Sequence, residues 1–314
     1  MLKSIFFIIF GLGLLVAGGD ELVDGAVGIA KKAKMSPMII GLTIVAFGTS
    51  APELIVSIKA AMGGNPGIAL GNVVGSNVAN IALILGVTAL IRPIPVAGRT
   101  VKIDTPFLVF ATVALTLISF TSGALTRIEG IVGLLMLCGF IGYQIMMTKR
   151  EDAKETTDDD AEDKTVSPLW KSLLALVLGI AFLKLGAECL VDGAVSIASS
   201  LGIDDRIIGL TVVAIGTSLP ELFASVIAAR KGNVDMAVGN VVGSNLFNIM
   251  CVLCASCAIT PIATIPAGFT TDCLWMLALT LLIWFQLRTD YRLTRLEGIV
   301  LLCSYAVFIT MAIM

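Results

Sequence analysis

GLTIVAFGTSAPELIVS at residues 41–57 and GLTVVAIGTSLPELFAS at 209–225 are two copies of one segment, offset by 168 residues. GNVVGSNVANI (71–81) and GNVVGSNLFNI (239–249) keep the same offset. So do Val23-Asp24-Gly25-Ala26-Val27 with Val191-Asp192-Gly193-Ala194-Val195, Asp104 with Asp272, and Arg127-Ile128-Glu129-Gly130 with Arg295-Leu296-Glu297-Gly298. A constant offset means two halves of one fold. They are read as residues 1–148 and 169–314, joined by the acidic stretch KREDAKETTDDDAEDKTVSP at 149–168. That stretch lacks the Gly and terminal Glu of an EF-hand loop and reads as a solvated linker.

The solvent for both halves is lipid. Of 314 residues, 57 % are hydrophobic and 14 % charged, and mean hydropathy is +0.99. Soluble domains carry about 25 % charge. A spanning helix takes about 20 apolar residues, so the chain has room for about ten and for little else. Five spans are expected per half, near 4–30, 37–62, 67–91, 105–121 and 127–148, then 169–199, 206–229, 236–259, 272–287 and 294–313. Five is odd, so the second half enters from the opposite side. The expected class is an all-α polytopic membrane protein, ten transmembrane helices in two inverted five-helix repeats.

Lys3, an apolar run and Ala17-Gly18-Gly19 mimic a secretory signal. The mid-chain copy at 172–190 cannot be one, so 4–30 is read as a retained span. Positive charge sets orientation. With both termini outside, the inner side holds Lys31, Lys32, Lys34, Arg92, Arg99, Lys102, Lys149, Arg150, Lys154, Lys164, Lys171, Arg230, Lys231, Arg288, Arg292 and Arg295. The outer side keeps Lys3, Arg127 and Arg206. The chain is thus expected in the cell membrane, with its linker cytoplasmic.

Composition also excludes chemistry. There is no histidine, so Ser-His-Asp catalysis, HExxH zinc sites and imidazole switches are out. No P-loop occurs, and the net charge of −2 argues against nucleic acid. Cys251, Cys254 and Cys257 are spread around a helix without a fourth ligand and read as packing residues. No enzyme, cofactor or protein partner is implied; the one partner is the bilayer.

Glu53 and Glu221 lie inside apolar spans at equivalent points. A carboxylate there costs at least a few kcal/mol and normally faces a bundle interior or a wet cavity. Thr49 and Ser50 precede Glu53 by four and three residues and share its face, as Thr217 and Ser218 do for Glu221. Pro52 and Pro220 lack an N–H, which frees the carbonyls of Gly48 and Gly216 and breaks each helix. Asn72, Ser76 and Asn80 form a polar stripe repeated by Asn240, Ser244 and Asn248. Beside it runs a small-residue strip, Gly67, Gly71 and Gly75, with Gly239 and Gly243 in the second copy, suited to close helix packing. The ligand inventory is oxygen alone, which fits Ca²⁺ and Na⁺ and not zinc or copper. Lys184 and Glu188, spaced i, i+4, are read as a local salt bridge outside the repeat.

Gly-Thr-Ser-x-Pro-Glu followed by Gly-Asn-x-x-Gly-Ser-Asn, in both halves, resembles the repeats of the calcium/cation antiporter superfamily, sodium/calcium exchanger branch of the prokaryotic type. The resemblance implies exchange of Na⁺ for Ca²⁺ by alternating access, with the spans 4–30 and 169–199 sliding past the core. By motif position it makes Glu53 and Glu221 shared ligands, with Thr49, Ser50, Thr217 and Ser218. Carbonyls of Ala46 and Ala214 would serve flanking Na⁺, and Ser76, Asn80, Ser244 and Asn248 come from the second motif. Many relatives carry Asp at the position of Asn248. The amide here implies no third acidic ligand and no K⁺ cotransport that depends on one. An H⁺/Ca²⁺ antiporter using the same glutamates as proton carriers is the rival reading.

Overall fold

The computed structural model describes residues 2–155, 168–202, 214–266 and 268–313. The heart of the acidic linker, Arg206 and the first part of the expected span 206–229 lie outside the described residues. The chain is helical almost throughout. In order come α1 (Leu2–Ala33), α2 (Pro37–Thr49), α3 (Ala51–Met62), α4 (Pro66–Ile91), α5 (Thr100–Thr121) and α6 (Arg127–Glu155). Then follow α7 (Leu169–Ser200), α8 (Ala214–Thr217), α9 (Leu219–Arg230), α10 (Val234–Ile259), α11 (Phe269–Asp290) and α12 (Arg295–Ile313). Among the described residues seven helices are long and apolar enough to cross a membrane, or eight with α2 and α3 taken as one bent span. The helical polytopic expectation is met. Among the described residues the extended pairing is a two-residue antiparallel ladder, β1 (Ile94–Pro95) with β2 (Arg292–Leu293), and a single bridge between Leu125 and Ile262.

Local sequence explains the breaks. α2 and α3 meet at 45°, and the joint is Ser50, at φ −86° and ψ 4°. Pro52 follows within the first turn of α3, where a missing N–H costs nothing. Ser218 joins α8 to α9 at φ −92° and ψ 2°, again just before Pro220. The helices also contain wide π-helical turns at Gly41–Val45, Ala79–Ile84, Thr100–Asp104 and Asn248–Leu253. Such turns are rare and gather at functional sites.

α4 and α10 form the centre. In each, 72 % of the apolar window is buried, against 28 % in α1 and α7. Gly239 and Gly243 let α10 press on α2: a Cβ on either would lie 2.4 Å from a backbone oxygen, of Met38 and Leu42 respectively. Phe47 and Phe247 close the contact, with ring centroids 5.6 Å apart. The small-residue strip therefore packs helices in its second copy. Gly71 and Gly75 meet no described neighbour.

α1 and α7 pack on each other as antiparallel partners. Gly11, Gly18 and Gly25 recur every seven residues on α1, and Gly179, Gly186 and Gly193 do so on α7. A Cβ on Gly11 would sit 2.7 Å from the Gly186 oxygen, and one on Gly18 2.9 Å from the Gly179 oxygen. Gly193 faces Ser4 and Gly25 faces Ser172 in the same register. With no hydrophobic drive between helices in lipid, close backbone packing of this kind is what holds a pair together. Gly179→Val would push Cβ to 2.4 Å from the Leu22 nitrogen and should cost at least about 2 kcal/mol. Gly13→Ala meets nothing within 4 Å and should change stability by less than about 1 kcal/mol. Thermal unfolding of the two purified variants in detergent checks the contrast.

Candidate functional site

The two broken helices carry Glu53 and Glu221 in the first turns of α3 and α9, and both carboxylates are buried. They are near enough to feel each other's charge. Each helix is braced from behind. Asn72 Nδ2 on α4 donates to the Glu53 carbonyl at 3.3 Å and to Ser57 Oγ at 2.9 Å. Asn240 Nδ2 on α10 donates to the Glu221 carbonyl and Ser225 Oγ at the same two distances. Asn72 and Asn240 thus hold the carboxylate helices in place. Sequence spacing had shown them only as members of a stripe. Ser57 and Ser225, also 168 apart, were missed.

Beyond the braces the two halves differ. Ser50 Oγ donates to Glu221 Oε1 at 3.2 Å, and Thr49 Oγ1 reaches Asn240 Oδ1 at 3.4 Å. Asn80 Nδ2 donates to Asn245 Oδ1 at 3.1 Å. The mirrored arrangement is incomplete. Ser218 Oγ, both Glu53 oxygens and both polar atoms of Asn248 are buried without a hydrogen-bond partner. Asn77 Nδ2 turns to the Met276 sulfur instead. Ser76 is buried. The Ala46 carbonyl accepts the Ser50 N–H at 3.0 Å and the Thr49 hydroxyl at 3.3 Å. Ala214 opens α8, the described start of its broken span.

Buried polar groups are normally paired, and each orphan costs on the order of 1–3 kcal/mol. On the residues of the doubled motifs the orphans include Glu53 Oε1 and Oε2, Glu221 Oε2, Asn80 Oδ1, Asn248 Oδ1, and the Ser218 and Ser244 hydroxyls, beside the amide nitrogens of Asn245 and Asn248. A cluster of hard oxygen acceptors around two carboxylates is what a hard cation requires. It offers nothing to a soft one.

Access comes from the α7 side. A cavity of about 200 Å³ reaches Thr217, Pro220 and Pro52, and its other wall carries Lys184, Glu188 and Asp192. A smaller one of about 60 Å³ reaches Thr49 past Lys184. The expected Lys184–Glu188 salt bridge is not formed; among the described residues the ion pairs lie elsewhere. Both side chains line the cavity and do not close on each other.

The α1 side is tied instead. Lys231, just after α9, pairs with Asp24 at 2.8 Å and Asp20 at 3.1 Å. Partial burial disfavours its ammonium, but the two carboxylates outweigh that and raise its pKa above the ordinary lysine value.

The sequence pattern of the family described as "Sodium/calcium exchanger protein" matches residues 3–146 and 171–314, one match in each half. The chain belongs to the sodium/calcium exchanger family. Its fold superposes on the sodium-calcium exchanger NCX_Mj, soaked with Na⁺ and Ca²⁺, with a TM-score of 0.84 and 31 % identity, covering 98 % of this chain and 97 % of that one. It is 34 % identical to the sodium/calcium exchanger MaX1 of Methanosarcina acetivorans, over 98 % of this chain and 97 % of the relative. Identity is 44 % to CaxA of Alkalimonas amylolytica, named as a candidate antiporter, over 97 % of each chain. Membership makes the protein an integral membrane cation/Ca²⁺ exchanger of the prokaryotic type.

Proposed function

We propose that the exchanger couples Na⁺ to Ca²⁺, one direction against the other, at the oxygen cluster around Glu53 and Glu221. The observation that carries this reading is the set of buried, partnerless oxygens on two broken helices and on the helices that brace them, with Ser50 of one broken helix bonded to Glu221 of the other. Thr49, Ser50, Thr217 and Ser218 complete the central site. The Ala46 and Ala214 carbonyls serve flanking Na⁺, and Ser76, Asn80, Ser244 and Asn248 contribute from α4 and α10.

The architecture behind it is ten spans: residues 1–148 as one repeat, 149–168 as a cytoplasmic linker and 169–314 as a second, inverted repeat. The antiparallel fit of α1 on α7 supports inversion. So do the paired connections, 94–95 with 292–293 and Leu125 with Ile262, which fall on opposite faces in that topology. With both termini outside, the α7 cavity opens outward and Lys231 pins α1 on the cytoplasmic side. Alternating access follows if the α1–α7 pair slides and trades the open side for the tied one.

Asn248 is neutral, as is its counterpart Asn80, so exchange should be independent of K⁺. Replacing K⁺ by choline at clamped potential should leave Na⁺-driven Ca²⁺ flux within about two-fold, less than the loss of one good ligand would cause. The proton reading uses the same carboxylates and is separated directly. Purified protein in liposomes loaded with Na⁺ should take up ⁴⁵Ca²⁺, while liposomes loaded only with acid should not. Uptake driven by the acid load alone would replace Na⁺ by H⁺ as the coupling ion.

A further inference from the structure

We propose that Lys184 is a specificity-determining residue that weakens Ca²⁺ more than Na⁺ at the exchange site. The inference rests on the proposed Na⁺/Ca²⁺ exchange. Lys184 lies midway along α7 and lines both cavities that reach the broken helices, one ending at Thr49 and the other at Thr217. Pro52 and Pro220, two residues beyond Ser50 and Ser218, line the same two cavities. An ion arriving from the α7 side therefore passes the exposed Lys184 in the cavities that lead to the broken helices.

The placement is particular to this half. The residue equivalent to Lys184 on α1 is Val16. The equivalents of Glu188 and Asp192 are Asp20 and Asp24, and both pair with Lys231. On α7 the two acids face the cavity with Lys184 among them and no ion pair within 4 Å.

A fixed charge shifts the energy of a nearby ion in proportion to that ion's own charge. Lys184 raises the energy of Na⁺ once and of Ca²⁺ twice, so its effect on half-saturating Ca²⁺ is the square of its effect on half-saturating Na⁺. Glu188 and Asp192 act with the opposite sign and the same ratio. The trio sets how strongly a divalent ion is preferred at this mouth, without any of the three touching it.

The test is ⁴⁵Ca²⁺ equilibrium binding to the detergent-purified full chain at low ionic strength. Na⁺ affinity is read as displacement at Ca²⁺ well below half-saturation. Lys184→Met should lower half-displacing Na⁺ about two-fold and half-saturating Ca²⁺ about four-fold. Lys184→Arg should match the wild type, Glu188→Gln and Asp192→Asn should move both values the other way, and added choline chloride should shrink every change. Equal factors for the two ions, an unchanged Lys184→Met, or a Lys184→Arg that behaves like Lys184→Met would overturn the proposal. Wild-type protein that binds no Ca²⁺ would contradict the exchange reading itself, and this inference with it.

Discussion

Glu53→Gln and Glu221→Gln should each abolish Ca²⁺ transport while the protein still folds. Each carboxylate is buried on a helix held by an asparagine brace that grips the backbone carbonyl and a serine, not the carboxylate. The amide therefore keeps the helix in place. It removes one of two buried negative charges facing a divalent ion. Breaking a buried charge pair by removing one partner costs about 3–5 kcal/mol, which is about 10²- to 10³-fold in Ca²⁺ affinity or more. The measurement is Na⁺-driven ⁴⁵Ca²⁺ uptake by each purified variant, with monodispersity and thermal unfolding as folding controls. Near-normal uptake in either would remove that glutamate from the site.

Ca²⁺ flux should respond to membrane potential. Two ionised carboxylates give the cluster a charge of about −2, and neither doubled motif contains another acidic residue. One Ca²⁺ cancels that charge. The family resemblance implies up to three Na⁺, and three would leave a net positive charge on the carrier. A single charge crossing the membrane is worth about 2.3 kcal/mol per 100 mV, which can shift the flux by more than ten-fold. Under a fixed Na⁺ gradient, a potential negative on the side Na⁺ enters should speed Ca²⁺ exit, and the opposite potential should slow it. Proteoliposomes with a K⁺ gradient and valinomycin read this. Equal flux at both signs would mean two Na⁺ per Ca²⁺ with the same residues.

The features legible in the sequence were those written twice. The 168-residue offset carried the two halves, the broken helices at Ser50 and Ser218, and the carboxylates beside them. Proline chemistry and the cost of charge in lipid explain why local sequence was enough. The wide turns at Ala79–Ile84 and Asn248–Leu253 were not legible, because one extra residue in a turn leaves the 3.6-residue pattern looking intact on either side. The glycine heptads at 11, 18 and 25 and at 179, 186 and 193 were on the page, but only a facing partner gives them meaning. Lys184 and Glu188 show the limit of spacing rules: four residues apart favours a pair, and the cavity beside them takes the side chains instead. Lys231 with Asp20 and Asp24 joins residues more than 200 apart, which no local pattern could suggest. Nor can a repeat announce where its copies differ. Ser50 engages Glu221 while Ser218 leaves Glu53 alone, and that difference belongs to the packing, not to the motifs.

Reciprocal counterflow tests the central claim most directly. Purified protein in liposomes loaded with ²²Na⁺ is diluted into Na⁺-free medium, with or without external ⁴⁵Ca²⁺, at clamped potential. If both ions share the cluster around Glu53 and Glu221 and cross by turns, external Ca²⁺ accelerates ²²Na⁺ efflux, and Ca²⁺ accumulates above its equilibrium level while the Na⁺ gradient lasts. Efflux of ²²Na⁺ at the same rate with and without Ca²⁺, or Ca²⁺ entry that never exceeds equilibrium, would contradict coupled exchange at one site.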